Sequence, residues 1–149
     1  VHLLIDLDSE TPIYQQIRDR MVEAIADGQL AAGAALPSTR QLAVDLAINF
    51  HTVNKAYDLL RREGIIRINR KSGAVVHPDV KQPTAEAEAA AADWRRRART
   101  LLAEADVRGL PRQDVQNFVR TTLDRFPGRD DTGTGRPPTA PHPGTATTA

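Results

Sequence analysis

The stretch over residues 36–76, LPSTRQLAVDLAINFHTVNKAYDLLRREGIIRINRKSGAVV, constrains the fold most, because it reads as two short helices joined by a tight turn and followed by a β-hairpin. Ser38 and Gln41 have the spacing of a capping box, which fixes where the first helix starts. Leu42, Ala43 and Leu46 give that helix its core side. Asn49 is placed to cap the second helix, along which Val53, Ala56, Tyr57 and Leu60 recur at helical spacing. Gly64 ends it at the position where a left-handed backbone is favoured. Residues 65–68 and 74–76 then read as short strands around a turn over residues 69–73. This is the layout of a winged helix-turn-helix, whose second helix keeps one face free for the major groove of duplex DNA.

The remaining segments fit around that unit. Residues 3–7 read as a short strand, and Thr11 and Pro12 as a helix start with proline at the first helical position. Ile13, Ile17, Met21 and Ile25 form a stripe at four-residue spacing, and Gly28 stops the helix. Residues 1–78 are thus expected to form the winged unit, with a linker over residues 79–83. From residue 84 the composition shifts to Ala, Glu and Arg, and Ala87, Ala91, Trp94, Ala98, Leu101 and Ala105 line one helix face. A further helix follows Gly109 and Pro111, with Val115, Phe118, Val119, Leu123 and Phe126 on one side. Two helices enclose too little to make a core alone, so residues 84–126 are expected to be a dimerisation module with Ala91, Trp94, Ala98 and Leu101 at its seam. Residues 127–149, rich in Pro, Thr and Gly, are expected to be a disordered tail. The fold class expected is mainly α with a small β wing.

Charge places the partner only through its distribution, since the formal net charge is +1. Lys55, Arg61, Arg62, Arg67, Arg70 and Lys71 outnumber Asp58 and Glu63 between residues 51 and 71, while the segment before residue 36 is acidic. Such a cluster is by itself also explained by a solvated helix face; its coincidence with the second helix and the wing favours nucleic acid. There is no cysteine, which excludes a disulfide framework and thiolate metal sites. His2, His51, His77 and His142 lack metal-ligand spacing, and Gly128, Gly133 and Gly135 lack the strand and helix of a phosphate loop. Asp6 and Asp8 read as a solvated face, and no nucleophile stands beside a base. The expectation is a protein that is not an enzyme, needs no metal or cofactor, and works in the cytoplasm without a membrane.

The residues Leu36-Pro37-Ser38, Arg40, Leu42-Ala43, Thr52-Val53, Ala56-Tyr57, Gly64 and Ser72-Gly73-Ala74-Val75-Val76 together resemble the DNA-binding domain of GntR-type bacterial transcription regulators. Residues 12–17 and Gly28-Gln29-Leu30, with Gly33, extend the likeness over about the first half of the chain. Where many such regulators carry Ser-Arg before Thr-Val, this chain has Asn49-Phe50-His51, similar to the YtrA-like branch. The resemblance implies a DNA contact at Arg40, and a short helical C-terminal part in place of a large effector domain. It also implies a homodimeric repressor acting on its own operon, with ABC-transporter genes among its targets. Ser38 and Thr39 lie beside Arg40, and the amides at that helix start can meet a phosphate. Asn49, His51, Thr52, Asn54 and Lys55 occupy the opening turns of the recognition helix, with Asn54 suited to an adenine edge and Lys55 to a phosphate. Arg70, Lys71 and Gly73 belong to the wing, whose cations either enter the minor groove or meet phosphate. A small-molecule effector at the dimer interface is compatible with this organisation. Two alternatives stand beside it: a winged helix used for protein docking, and the remnant of a regulator fused to a pyridoxal-phosphate enzyme domain.

Overall fold

A computed structural model describes residues 2–127; the tail expected from residue 127 onward lies outside them but for its first residue. Helices α1 (Ile13–Ala26), α2 (Thr39–Leu46) and α3 (Phe50–Arg62) precede an antiparallel hairpin of β1 (Ile66–Asn69) and β2 (Gly73–Val76). Helices α4 (Ala85–Val107) and α5 (Arg112–Arg125) follow. The mainly helical architecture with a two-stranded wing is the expected one.

Helix α3 packs against α1, α2 and β1, and its inward residues Val53, Ala56, Tyr57 and Leu60 are buried. Ile17, Met21 and Ile25 of α1, Leu42 and Ala43 of α2, and Ile66 and Val76 of the wing complete one core. Ile13 and Leu46, the remaining members of the two stripes, pack at its edge. Burying each large apolar side chain stabilises the fold by about 1.5–3 kcal/mol, so this shared core holds the three helices and the wing as one body. The Tyr57 hydroxyl donates to the Pro37 carbonyl at 2.7 Å, tying the centre of α3 to the chain entering α2. Burial pushes the Tyr57 phenol well above its ordinary pKa, so it remains a donor.

Several local expectations are corrected. Residues 3–7 form no strand: Leu3 is buried while Leu4 and Leu7 are exposed, and among the described residues no strand pairs with them. Instead the side chain of Gln16 accepts from the Asp6 amide at 2.8 Å and donates to the carbonyls of Asp6 and Thr11, both at 2.8 Å. Pro12 occupies the cap of α1 rather than its first turn, because its ψ of 142° is extended. The Ser38 hydroxyl accepts from the Gln41 amide at 3.1 Å, but the Gln41 side chain donates to Asp45 at 2.6 Å, so the capping box is only half made.

The wing is displaced by one residue from its expected bounds, with Ile66 opposite Val76 and Asn69 opposite Gly73. Arg70, Lys71 and Ser72 make the turn, and Gly73 has the positive φ of +70° that such a short hairpin loop requires. Residues 33–36 lie along the other edge of β2: the Gly33 amide donates to Val76, the Val76 amide to Ala34 and the Leu36 amide to Ala74, at 2.8–3.0 Å. Covering that edge satisfies its backbone groups and fixes the wing to the segment that leads into α2.

Residues 79–83 are folded onto the winged unit rather than extended: Val80 packs on the core and the Lys81 ammonium donates to the Ala26 carbonyl at 3.2 Å. Thr84 then caps α4 through the Ala87 amide at 3.1 Å. No residue of α4 or α5 is buried. Trp94, Leu101, Phe118 and Leu123 remain 60–70% exposed.

We expect Tyr57→Phe to lower stability by about 1–2 kcal/mol, because it keeps the ring and leaves the Pro37 carbonyl without its donor. Urea unfolding with unchanged m-value checks this; a loss below about 0.3 kcal/mol would show that water replaces the phenol.

Candidate nucleic-acid interface

A tight turn over residues 47–49 joins α2 to α3, and the two helices pack on each other. Ala47 ends α2 in the left-handed region, with φ 52° and ψ 43°, which reverses the chain within a single residue. The Asn49 carboxamide oxygen accepts from the His51 amide at 2.8 Å and fixes the start of α3. Ser38 does the same for α2, so both helix starts are set by local side chains.

On this frame Ser38, Arg40, Asn49, His51 and Lys55 are exposed, and Thr39, Thr52 and Asn54 are half-buried. The Arg40 guanidinium stands 5.7 Å from the centroid of the Phe50 ring, and His51 meets the same ring edge-on at 5.6 Å. These contacts link the expected residues of α2 with those of α3. Phe50 itself was not singled out as a site residue from the sequence; an aromatic side chain between a cap and a histidine was the available signal.

The cations do not all stand free. Lys55 lies over the ring of Tyr14 on α1, with its nitrogen 4.0 Å from the centroid. Asp58 accepts from Arg61 at 2.6 Å and from Arg62 at 3.1 Å, and the hydrogen bond from Arg61 leads in holding its carboxyl below the usual range. Arg18 of α1 bridges to Glu63 at the end of α3 at 2.9 Å. Burial opposes its charge, but Glu63 and Asp19 outweigh burial and leave its pKa raised. Arg40 and the wing-tip residues Arg70 and Lys71 are exposed, and among the described residues no salt bridge to a carboxylate involves them.

Arg70, Lys71 and Gly73 are exposed at that tip. Ala91 and Ala98 are half-buried and Trp94 and Leu101 exposed along α4, remote in sequence from the helix-turn-helix. Among the described residues no group of three or more His, Asp or Glu side chains could hold a metal ion, and no helix is long and apolar enough to cross a membrane.

Comparison with known proteins agrees with this geometry. Residues 13–76 match the profile described as bacterial regulatory proteins of the gntR family. The structure superposes on that of YtrA from Sulfolobus acidocaldarius, titled a GntR-family transcription factor, with 41% identity and a TM-score of 0.55, over 70% of this chain and 97% of that one. The chain belongs to the GntR family. It is similar to the HTH-type transcriptional repressor YtrA of Bacillus subtilis, at 43% identity over 55% of this chain and 63% of that repressor's length. The crystal structure titled a transcriptional antiterminator from Listeria monocytogenes EGD-e shares the fold over 86% of this chain and 95% of its own, with a TM-score of 0.74 at 22% identity. The likeness to YtrA agrees with the branch suggested by Asn49-Phe50-His51. By family the chain is a GntR-type, DNA-binding transcription regulator.

The left-handed Ala47 gives the interface a direct structural test. We expect Ala47→Gly to stabilise the fold by about 0.5–1 kcal/mol, the relief of a left-handed alanine exceeding the added freedom of the unfolded chain. Thermal unfolding measures it, and a destabilised variant would mean that the Cβ contributes packing that outweighs the strain.

Proposed function

We propose that this protein binds, as a homodimer, a duplex operator with two related half-sites and represses transcription from it. The observation that carries the reading is the contact of Arg40 of α2 and His51 of α3 with the one Phe50 ring, beside two helix starts capped by Ser38 and Asn49; Asn54 follows one turn along α3. In helix-turn-helix docking the opening turns of the second helix reach base edges while the flanking element holds the backbone. Asn54 has donor and acceptor atoms for the N6 and N7 edge of adenine, and Arg40 and Thr39 meet the DNA beside it. Asn49 and Ser38 set the helix starts and offer amides to phosphate; Thr52 contacts the flank. Lys55, held over the Tyr14 ring, turns its remaining N–H donors to a phosphate, and Arg70 and Lys71 of the wing, with Gly73 shaping its turn, supply further backbone contacts.

Repression is supported by the printed name of the Bacillus subtilis relative. Control of its own operon, with ABC-transporter genes, follows from the resemblance to the YtrA-like branch. The protein acts in the cytoplasm, where such an operator is. Dimerisation through residues 84–126 is supported by the exposure of Trp94, Leu101, Phe118 and Leu123, which a second subunit would cover. Between α4 and α5 lies an open groove of about 800 Å³ lined in part by Trp94, Ala98, Leu102 and Val115. A small-molecule effector would bind there at the dimer interface, although the open groove names no particular ligand.

Affinity for operator and scrambled duplex across a salt series tests the DNA reading. Asn54→Ala is expected to cost about 1–3 kcal/mol on the operator and far less on scrambled DNA. Lys55→Ala or Arg70→Ala should weaken both alike and reduce the slope of log affinity against log salt by about one unit. Binding that ignores sequence and salt would favour a protein-docking role instead.

The dimer is tested separately. Light scattering at micromolar concentration should give twice the chain mass for the wild type and a monomer for the double variant Trp94→Asp, Leu101→Asp. That variant should also bind the two-site operator at least tenfold more weakly, since the second half-site no longer gains from the first. A wild-type monomer with full operator affinity would refute the assembly.

A further inference from the structure

Phe50 is the first residue of α3, and it lines one open apolar hollow with Ala43 and Val44 of α2 and with Ile48. It packs on the edge of the core. The ring also meets two residues of the proposed DNA-facing surface, the Arg40 guanidinium at 5.7 Å and the His51 ring at 5.6 Å.

We propose that Phe50 is a positioning residue for DNA binding, holding the Arg40 guanidinium beside the start of the recognition helix before DNA arrives. The proposal rests on the DNA-binding reading above and adds to it a role for a residue with no hydrogen-bonding side chain. An exposed arginine is long and flexible, and ordering it on binding opposes association. A guanidinium attracted to an aromatic ring has part of that freedom already removed, while its N–H donors lie in its plane and remain available to an acceptor on DNA. The ring is well suited to this because its own position is set by the core, through the helix that Asn49 caps. A leucine would fill similar apolar space but present no π face.

The probe is a duplex selected by the wild-type protein from a random library. Its affinity is measured for the wild type, Phe50→Leu, Phe50→Tyr, Arg40→Ala and the double variant Arg40→Ala, Phe50→Leu, with thermal midpoints recorded for each. Phe50→Leu should weaken binding about two- to fivefold, the range an exposed cation–π contact supports. Phe50→Tyr should stay within about 1.5-fold of wild type, because the ring is retained. In the Arg40→Ala background the leucine substitution should change affinity by less than about 1.5-fold, since nothing is left for the ring to hold. In the free protein the Arg40 Nε–H resonance should carry a ring-current shift that survives in Phe50→Tyr and is lost in Phe50→Leu. Where Phe50→Leu does not fold, Phe50→Met serves the same comparison.

An equal loss from Phe50→Leu with and without Arg40, or a Phe50→Tyr as weak as Phe50→Leu, would overturn the positioning role while leaving DNA binding intact. A wild-type chain that enriches no duplex would overturn the DNA-binding reading and this proposal with it.

Discussion

Val53, Ala56, Tyr57 and Leu60 carry almost no solvent exposure and face α1, α2 and β1 from one side of a single helix, so each of those elements takes its core from α3. The same amphipathic division that fills the core leaves His51, Asn54 and Lys55 outside it. In a helix of 13 residues there is no way to alter the buried stripe without rotating the outer residues too. Core packing and DNA presentation are therefore one constraint. The Tyr57 hydroxyl extends it to α2, because its bond to Pro37 fixes the chain two residues before that helix begins.

Apolar packing alone leaves the sliding of helices past one another weakly specified, and a few polar side chains supply the register. Ser38 and Asn49 fix where α2 and α3 start, Gln16 holds the N-terminal segment on α1, and the Arg18 to Glu63 pair joins α1 to the end of α3. Individually such contacts contribute about 0.5–2 kcal/mol. Their effect on geometry is greater than that figure suggests, because a misplaced cap leaves a backbone donor unsatisfied whereas a misplaced leucine still finds apolar neighbours.

The helices and the wing were legible because their residues repeat an unambiguous period and end in residues with specific backbone preferences: Asn49 before α3, Gly64 after it, Gly73 in the hairpin. What was not legible depends on partners distant in sequence. Residues 3–7 form a short apolar run broken only by Asp6, which reads as a strand, but a strand needs a neighbour, and Gln16 takes that place ten residues further on. The pairing of residues 33–36 with β2 carries no local signal, since it joins segments some forty residues apart that α2 and α3 separate. Gln41 had the right spacing for a capping box, yet Asp45 one turn later competes for its amide at 2.6 Å. Among the candidate contacts, the exposed face of α3 was readable from periodicity, while the attachment of Lys55 to Tyr14 and of Arg40 to Phe50 required knowing how helices cross.

The C-terminal helices reverse the balance found in the winged unit, for they have long apolar faces and no buried residue. Their connection to the winged unit is nonetheless specific. Lys81 donates to the carbonyl of Ala26, and Pro127 comes so near Gly28 that a Cβ there would lie 3.1 Å from its ring. Gly28 is also left-handed, at φ +80°, so a side chain at this position would meet both backbone strain and Pro127. The chain thus enters α4 and leaves α5 at the same end of α1, and two attachments resist rotation better than one. In the dimer we propose, the seam between subunits would be transmitted through that end of α1 to α3, which packs along it. The spacing of the two recognition helices would then depend on a glycine and a lysine far from the DNA.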